Sequence, residues 1–160
     1  MPHVLTMTST LILTVAMPIA VQQEGIGAAP SNSVAIVLSQ ARDALDSGDP
    51  ERALKLFRKA IKDSRDTCVG CRVGEVEALL QTGATGAALK SARKALSIAT
   101  DDGTRAAAHG AMGDAFIAKD DAKGHEGARV EYEQAIALAP GEADFHLKLG
   151  IALFKLLRDD

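Results

Sequence analysis

The chain of 160 residues has few aromatic side chains: no Trp, one Tyr and four Phe, or 3% of all residues. β-Sandwiches and β-barrels depend on aromatic and β-branched strands, whereas this sequence is rich in Ala and Leu, which are strong helix formers. Its hydrophobic content of 47% is sufficient to bury the core of one domain. The composition therefore predicts an all-α fold.

The sequence also lacks an excess of positive charge. It has 18 Lys and Arg against 21 Asp and Glu, which gives a net charge of −3 at pH 7. Nucleic-acid-binding domains usually have a basic balance and a basic face. We therefore expect that the chain does not bind nucleic acid.

Charged residues of either sign are absent before Glu24. Residues 11–21 form an apolar run of the length typical of a signal-peptide core, although the usual preceding Lys or Arg is missing. Pro18 interrupts the run, which is too short to be a stable membrane span. We predict a signal peptide at 1–20, a flexible linker at 21–33 and export to the periplasm or outside the cell. A cytoplasmic protein with an apolar tail is the alternative.

A nine-residue pattern occurs three times, at residues 53–61, 88–96 and 128–136. The first two copies begin 35 residues apart and share six residues. The third begins 40 residues later, keeps both alanines, and has Tyr132 where the first has Phe57. Recurrence at this period is typical of stacked helical repeats, because one such unit cannot bury its apolar face alone.

Helical spacing of apolar residues, with Gly, Asp and Pro at the turns, predicts the individual helices. We expect helices at residues 34–46, 50–65, 69–81, 84–99, 105–118, 126–139 and 142–157. Thr104 is the predicted N-cap of the fifth helix. Residues 119–125 are predicted to form a turn about three residues longer than its counterparts.

This pattern resembles the tetratricopeptide repeat family, in which helix A carries a small residue, helix B a small-x3-aromatic-x2-small spacing, and Pro closes the unit. The matching residues are Ala41, Ala53, Phe57 and Ala60, then Val76, Ala88, Ala92 and Ala95, then Gly113, Ala128, Tyr132, Ala135 and Pro140. The first two units lack the helix A Gly and the closing Pro, and Ala92 replaces the aromatic residue. The resemblance, which extends to exported bacterial members, implies a right-handed helical-repeat solenoid of about three and a half helix-turn-helix units in residues 34–160.

The predicted last helix, at 142–157, is apolar on nearly all sides, whereas an end helix of a repeat stack usually has a polar outer face. We therefore expect either further chain beyond Asp160 or self-association through residues 142–157.

Cys68 and Cys71 form a CxxC pair at the start of the third helix, where the helix dipole lowers a thiol pKa. A structural disulfide, a redox dithiol and a metal site are all open interpretations, although further metal ligands are not evident. Some exported bacterial tetratricopeptide proteins similar in this feature carry a thioredoxin-like domain. The alternative function is therefore a redox-associated module, with this pair or an appended domain of a longer chain performing thiol-disulfide chemistry.

No pattern in the sequence predicts catalytic residues, a cofactor or a metal site. His109 and His146 occupy equivalent places in two A helices and are expected to be packed or partly buried. His125 falls in the predicted long turn and is expected to be exposed to solvent. The chain is therefore not expected to be an enzyme.

The family resemblance implies a function as a protein-interaction scaffold, because the A helices of such repeats line a groove that holds extended or helical peptides. The positions carried over are Leu38, Arg42, Leu45, Asp46, Val73, Glu77, Leu80, Gln81, Asp114 and Ile117. This set lacks the Lys and Asn residues with which some members clamp a carboxyl-terminal tail. Binding of a chaperone tail is therefore not expected.

Overall fold

A computed structural model describes residues 32–159, in which there are seven helices and no strand. The helices are α1 (Asn32–Asp46), α2 (Pro50–Asp63), α3 (Val69–Gln81), α4 (Thr85–Ile98), α5 (Asp102–Ile117), α6 (Ala122–Leu138) and α7 (Ala143–Asp159). They pack as the pairs α1 with α2, α3 with α4, and α5 with α6, and each pair packs on the next. The predicted all-α helical-repeat fold is confirmed.

Helix α1 begins at Asn32, two residues before the predicted start. The predicted signal peptide and nearly all of the predicted linker lie outside the described residues. None of the described helices is both long and apolar enough to cross a membrane.

Tight turns join the first two helix pairs. Gly48 and Gly83 lie just beyond α1 and α3 and have positive φ values of 76° and 75°. Glycine is favoured at these positions because it adopts positive φ without strain. Asp49 then caps α2 by accepting the Arg52 backbone N–H at 3.0 Å, and Pro50 occupies the first turn. These turns return helix B antiparallel to helix A within three residues.

The predicted N-cap of α5 was wrong. Asp101 is the cap, and its carboxylate accepts the Thr104 backbone N–H at 2.8 Å. Thr104 is the third helical residue and bonds back toward the cap, which completes a capping box. A carboxylate is favoured here because the helix N-terminus carries partial positive charge.

The predicted long turn before the sixth helix was also wrong, because α6 begins at Ala122. The extra residues lengthen helix B to 17 residues, against 14 in α2 and α4. Gly124 and Gly127 look like turn residues, yet they allow α6 to approach Phe116 closely. A Cβ on Gly127 would lie 2.9 Å from the Phe116 ring.

Small residues and aromatic rings form the contacts between helices. The alanines of the repeated pattern and Phe57 are fully buried, and Tyr132 is only 2% exposed. The Phe57 ring packs directly on Gly74 of α3, and the Tyr132 ring lies on Gly113 of α5. The second unit thus has a packing glycine in helix A after all, two positions before the Val76 of the predicted pattern.

Gly74→Ala tests this packing directly. The added methyl would overlap the Phe57 ring, which is fully buried and has little room to move. Overpacking of this kind costs about 1–3 kcal/mol, so we expect that loss in the free energy of unfolding measured in urea.

Gly150→Ala is the matched control, since a Cβ on this helical glycine meets no atom within 4 Å. It should be neutral or stabilising by up to about 1 kcal/mol, because Ala has the higher helix propensity. Equal free energies of unfolding for the two variants would show that the packing of the Phe57 ring does not require a glycine at position 74.

Candidate partner-binding groove

The helices α3, α5 and α7, which are the A helices of successive units, enclose one side of an open cavity of about 550 Å³. Its lining residues are Val73, Val76, Glu77, Leu80, Gln81, Ala111, Asp114 and Lys148. Five of the ten sequence-predicted groove residues are therefore brought together, namely Val73, Glu77, Leu80, Gln81 and Asp114. We refer to this cavity as the groove.

The other five predicted residues do not line it. Arg42 and Asp46 are exposed on α1, and Leu38 is half-buried against the core on the same helix. Leu45 is buried between α1 and α2, because the small Ala53 lets the two helices approach closely there. Ile117 packs toward Tyr132 in the core between α5, α6 and α7.

Sequence reasoning missed Val76, Ala111 and Lys148 as lining residues. Lys148 belongs to α7, which takes the place of a further helix A in the repeat pattern. Its position two residues before Gly150 in that helix was the signal that could have predicted it as a groove residue. Val76 and Ala111 are buried core residues whose surfaces become the floor of the groove only where two A helices lie side by side.

Asp114 joins three helices at one edge of the groove. Its Oδ1 accepts the Tyr132 hydroxyl of α6 at 2.8 Å, and its Oδ2 accepts Lys148 Nζ of α7 at 3.0 Å. Lys148 also forms an ion pair with Asp144 at 3.0 Å. These bonds fix the separation of α5, α6 and α7 and therefore the width of the groove.

Burial, followed by the negative charge of Asp114, raises the pKa of Tyr132 well above its ordinary value. Burial alone would lower the pKa of Lys148, but the charges and hydrogen bonds of Asp114 and Asp144 outweigh it and raise that pKa. Tyr132 therefore remains a neutral donor and Lys148 a cation at neutral pH.

The groove combines an apolar floor with a free carboxylate. The side chains of Val73, Val76, Leu80 and Ala111 supply the apolar surface. Glu77 is exposed and makes no ion pair with any described residue, whereas the charge of Lys148 is already compensated by two carboxylates. The surface is therefore suited to apolar side chains together with a positive charge near Glu77.

Comparison with known proteins agrees with this geometry. Residues 38–103 match the tetratricopeptide repeat family. This segment of the chain contains tetratricopeptide repeats. Comparison with curated proteins finds no match.

Two solved structures with tetratricopeptide folds are similar to the chain. The first TPR of Spaghetti (RPAP3), bound to the HSP90 peptide SRMEEVD, has a TM-score of 0.64 at 15% identity, over 78% of this chain and 93% of that one. The first TPR domain of human RPAP3 has a TM-score of 0.68 at 15% identity, over 79% and 94%. At this identity the likeness shows the fold alone.

The two cysteines lie where the second tetratricopeptide unit begins, and neither lines the groove. They are joined in a disulfide, and Cys68 is the N-cap of α3, with its sulfur accepting the Cys71 backbone N–H at 3.1 Å. Cys71 is fully buried against Val34, Val37 and Ile61. The bond closes a short loop within the start of α3 itself, while the packing of Cys71 provides the contact with the preceding repeat. The state of the bond in the cell stays a prediction.

His125 is not exposed, contrary to the sequence prediction. Because α6 begins four residues earlier than predicted, His125 belongs to the helix and its side chain turns into the repeat stack, where the residue is only 3% exposed. Nδ1 contacts the carboxylate of Asp159 at the end of α7, and Nε2 lies 3.3 Å from Asp120. A hydrogen bond from Lys155 holds the pKa of Asp120 below its ordinary value.

The two equivalent helix A histidines differ from each other. His109 is partly buried, as expected, and its Nδ1 lies 2.7 Å from Glu131 of α6. His146 is exposed, contrary to expectation, since no later helix among the described residues covers that side of α7. Within residues 32–159, no group of three or more His, Cys, Asp or Glu side chains is arranged to hold a metal ion.

Asp114→Asn should loosen this end of the tetratricopeptide stack. It removes the charge that pairs with Lys148 while keeping the side-chain shape, and hydrogen bonds to charged groups are worth about 1.5–3 kcal/mol. Because both side chains are about one-third exposed, we expect a smaller loss, about 1–2 kcal/mol, in the free energy of unfolding. Glu77→Gln, in the same groove but without an ion pair, is the control and should be nearly neutral; equal losses would contradict the role of Asp114.

The Lys148 pairs should also give a characteristic pH dependence. The folded pKa of Lys148 is raised, so its contribution to stability is fully present below the unfolded pKa of about 10.5 and is lost as the pH rises through the folded pKa. The stability difference between the wild type and Lys148→Met should therefore be constant from pH 7 to about 10 and shrink above it. Thermal unfolding of both proteins across this range measures it. A difference that persists or grows at alkaline pH would argue against the pairing.

Proposed function

We propose that this chain is a protein-interaction scaffold that binds an extended or helical segment of a partner protein in the groove. The observation that carries the proposal is the cavity of about 550 Å³ between successive A helices, with an apolar floor and one free carboxylate. Concave surfaces of this kind bury apolar side chains, while a few charged groups set the orientation of the ligand. The peptide complex of the similar tetratricopeptide domain supports this use of the fold.

The charge of the groove indicates the chemistry of the segment. The peptide in that complex, SRMEEVD, contains two Glu and one Asp. Among the described residues that line this groove, Glu77 and Asp114 are acidic, and the one cation, Lys148, is already paired. We therefore expect a segment with apolar side chains and a Lys or Arg placed against Glu77.

Export and self-association stay proposals. The apolar run at residues 11–21 supports a periplasmic or extracellular location. Only Ala152 of α7 is buried, whereas Leu147, Phe154 and Leu157 are 60–77% exposed. This apolar surface supports either contact with a second copy through residues 142–157 or coverage by further chain.

The redox-associated alternative has no observation in its favour. Cys71 is fully buried and Cys68 is half-buried at a helix start, so the pair offers little access to a substrate disulfide. No strand occurs in residues 32–159 that would supply a thioredoxin-like context. The arrangement is that of a local disulfide within the start of α3.

Peptide selection on the folded chain tests the groove. We expect a random peptide library displayed on phage to yield binders that combine apolar residues with Lys or Arg. Glu77 and Gln81 are both exposed. The double variant Glu77→Lys and Gln81→Lys should bind the selected peptides about tenfold more weakly or worse, because the charge that faces the ligand is reversed.

Lys123→Glu is the control, because Lys123 is exposed on α6 and does not line the groove. Affinity for this variant should stay within about twofold of the wild type, because the changed charge does not face the bound peptide. Selected peptides that bind the groove variant as tightly as the wild type would refute the assignment. Asp114 is left unchanged in this test because it holds three helices together.

A further inference from the structure

The B helices of the first two units carry a concentration of positive charge that the net charge of the chain conceals. Helices α2 and α4 contain eight Lys and Arg against two acidic residues, a formal charge of +6 in a chain of −3, and α4 has no carboxylate at all. All eight are exposed: Arg52, Lys55, Arg58, Lys59, Lys62, Lys90, Arg93 and Lys94. We refer to this surface as the basic face.

Packing determines where these charges point. The small and aromatic residues of the repeated pattern occupy the buried side of α2 and α4, so the basic residues between them are left on the opposite, outer side. The groove is lined only by α3, α5 and α7. The basic face and the groove are therefore formed by different helices and have no residue in common.

A second cavity, of about 330 Å³, opens on the basic face between α2, α3 and α4. Its lining residues are Arg58, Arg72, Glu75, Leu79, Ala87, Lys90, Ser91 and Lys94. Leu79 and Ala87, with the aliphatic stems of the basic residues, give it apolar walls. It can therefore accommodate one apolar side chain within a positively charged rim.

Glu75 in the cavity and Asp66 outside it neutralise only part of this charge. Glu75 is 6% exposed and accepts Arg58 at 3.2 Å, Arg72 at 3.0 Å and the Ser91 hydroxyl at 2.6 Å. Asp66 pairs with Arg72 at 2.6 Å and with Lys94 at 3.6 Å. Glu75 is thus buried beneath the arginines, whereas Asp66 stays partly exposed while it pairs with Arg72 and Lys94.

Five of the eight basic residues, by contrast, form no ion pair with any described residue. They are Arg52, Lys55, Lys62, Lys90 and Arg93. Lys90 lines the cavity, and Arg93 lies beside it on the same exposed side of α4. The rim is thus left with uncompensated positive charge directed to solvent.

We propose that the basic face is a second docking surface, which binds an acidic segment of a partner protein. The segment places an apolar side chain in the cavity and its carboxylates against Lys90, Arg93 and Lys94. Opposite charge at such a surface determines orientation and the rate of encounter, while the apolar contact adds burial.

Two features favour an acidic protein segment over nucleic acid. Base stacking needs exposed aromatic rings, and the only aromatic residue of α2 and α4, Phe57, is fully buried. Outside these two helices the chain has a formal charge of −9, with 10 basic and 19 acidic residues, so an extended polyanion that left the basic face would be repelled. A short acidic segment can remain within the face.

The test uses a short fluorescein-labelled peptide of repeated Glu-Glu-Leu-Asp and its uncharged counterpart, repeated Gln-Gln-Leu-Asn. Fluorescence anisotropy should show binding of the acidic peptide by the wild type that weakens as salt is raised, and no binding of the uncharged one. The triple variant Lys90→Glu, Arg93→Glu and Lys94→Glu should bind it roughly tenfold more weakly or worse.

The matched control makes the same charge change elsewhere, with Arg105→Glu, Lys119→Glu and Lys123→Glu, all exposed on or beside α5 and α6. It should retain wild-type binding within about twofold, because these charges lie outside the basic face. Helical content by circular dichroism confirms that both variants are folded. Equal effects of the two triple variants, or no binding of the acidic peptide, would overturn the proposal.

The same assay is run with duplex DNA and with vesicles containing phosphatidylserine. Weaker binding of both than of the acidic peptide supports a protein partner. Tighter binding of either, lost in the basic-face variant and kept in the control, would overturn the proposed partner class.

Discussion

The close approach of helices at residues with little or no side chain is the contact on which the rest of this structure depends. Phe57 lies on Gly74, Tyr132 on Gly113, and a Cβ on Gly110 would lie 2.5 Å from the ring of Phe145. The alanines that recur at the same helical positions are fully buried. Because interiors are packed at near-crystalline density, a ring that fills the space above a glycine fixes the position of one helix on the next.

That packing divides the outer surface into two chemically different parts. The A helices come to lie side by side and form a groove with an apolar floor and a free carboxylate, while the B helices of the first two units turn their lysines and arginines outward. Asp114 then connects α5, α6 and α7 at the edge of the groove. The framework residues are thus separate from the surface residues that would recognise a partner.

Much of the fold could be predicted because it depends on local spacing. The bounds of α3, the buried alanines and the packing roles of Phe57 and Tyr132 all follow from helical periodicity and repetition. The start of α6 and the burial of His125 could not be predicted in this way, because Gly124 and Gly127 resemble turn residues but pack against Phe116 within the fold. Five of the ten predicted groove residues line the cavity and five do not, since a cavity depends on how three helices pack together, and their role in binding stays a prediction. The basic face was missed because net charge averages over surfaces that point in different directions.

Native-state hydrogen exchange of the backbone amides, at a concentration where the chain is monomeric, tests the central claim that contacts between neighbouring repeats hold the stack together. In such a stack, stability depends on how well each unit is packed by its neighbours. The account predicts the slowest exchange in the central helices α3, α4 and α5, which are packed on both sides, and the fastest in α7, where only Ala152 is buried. Protection of α7 equal to that of α3, or uniform protection along the chain, would contradict it.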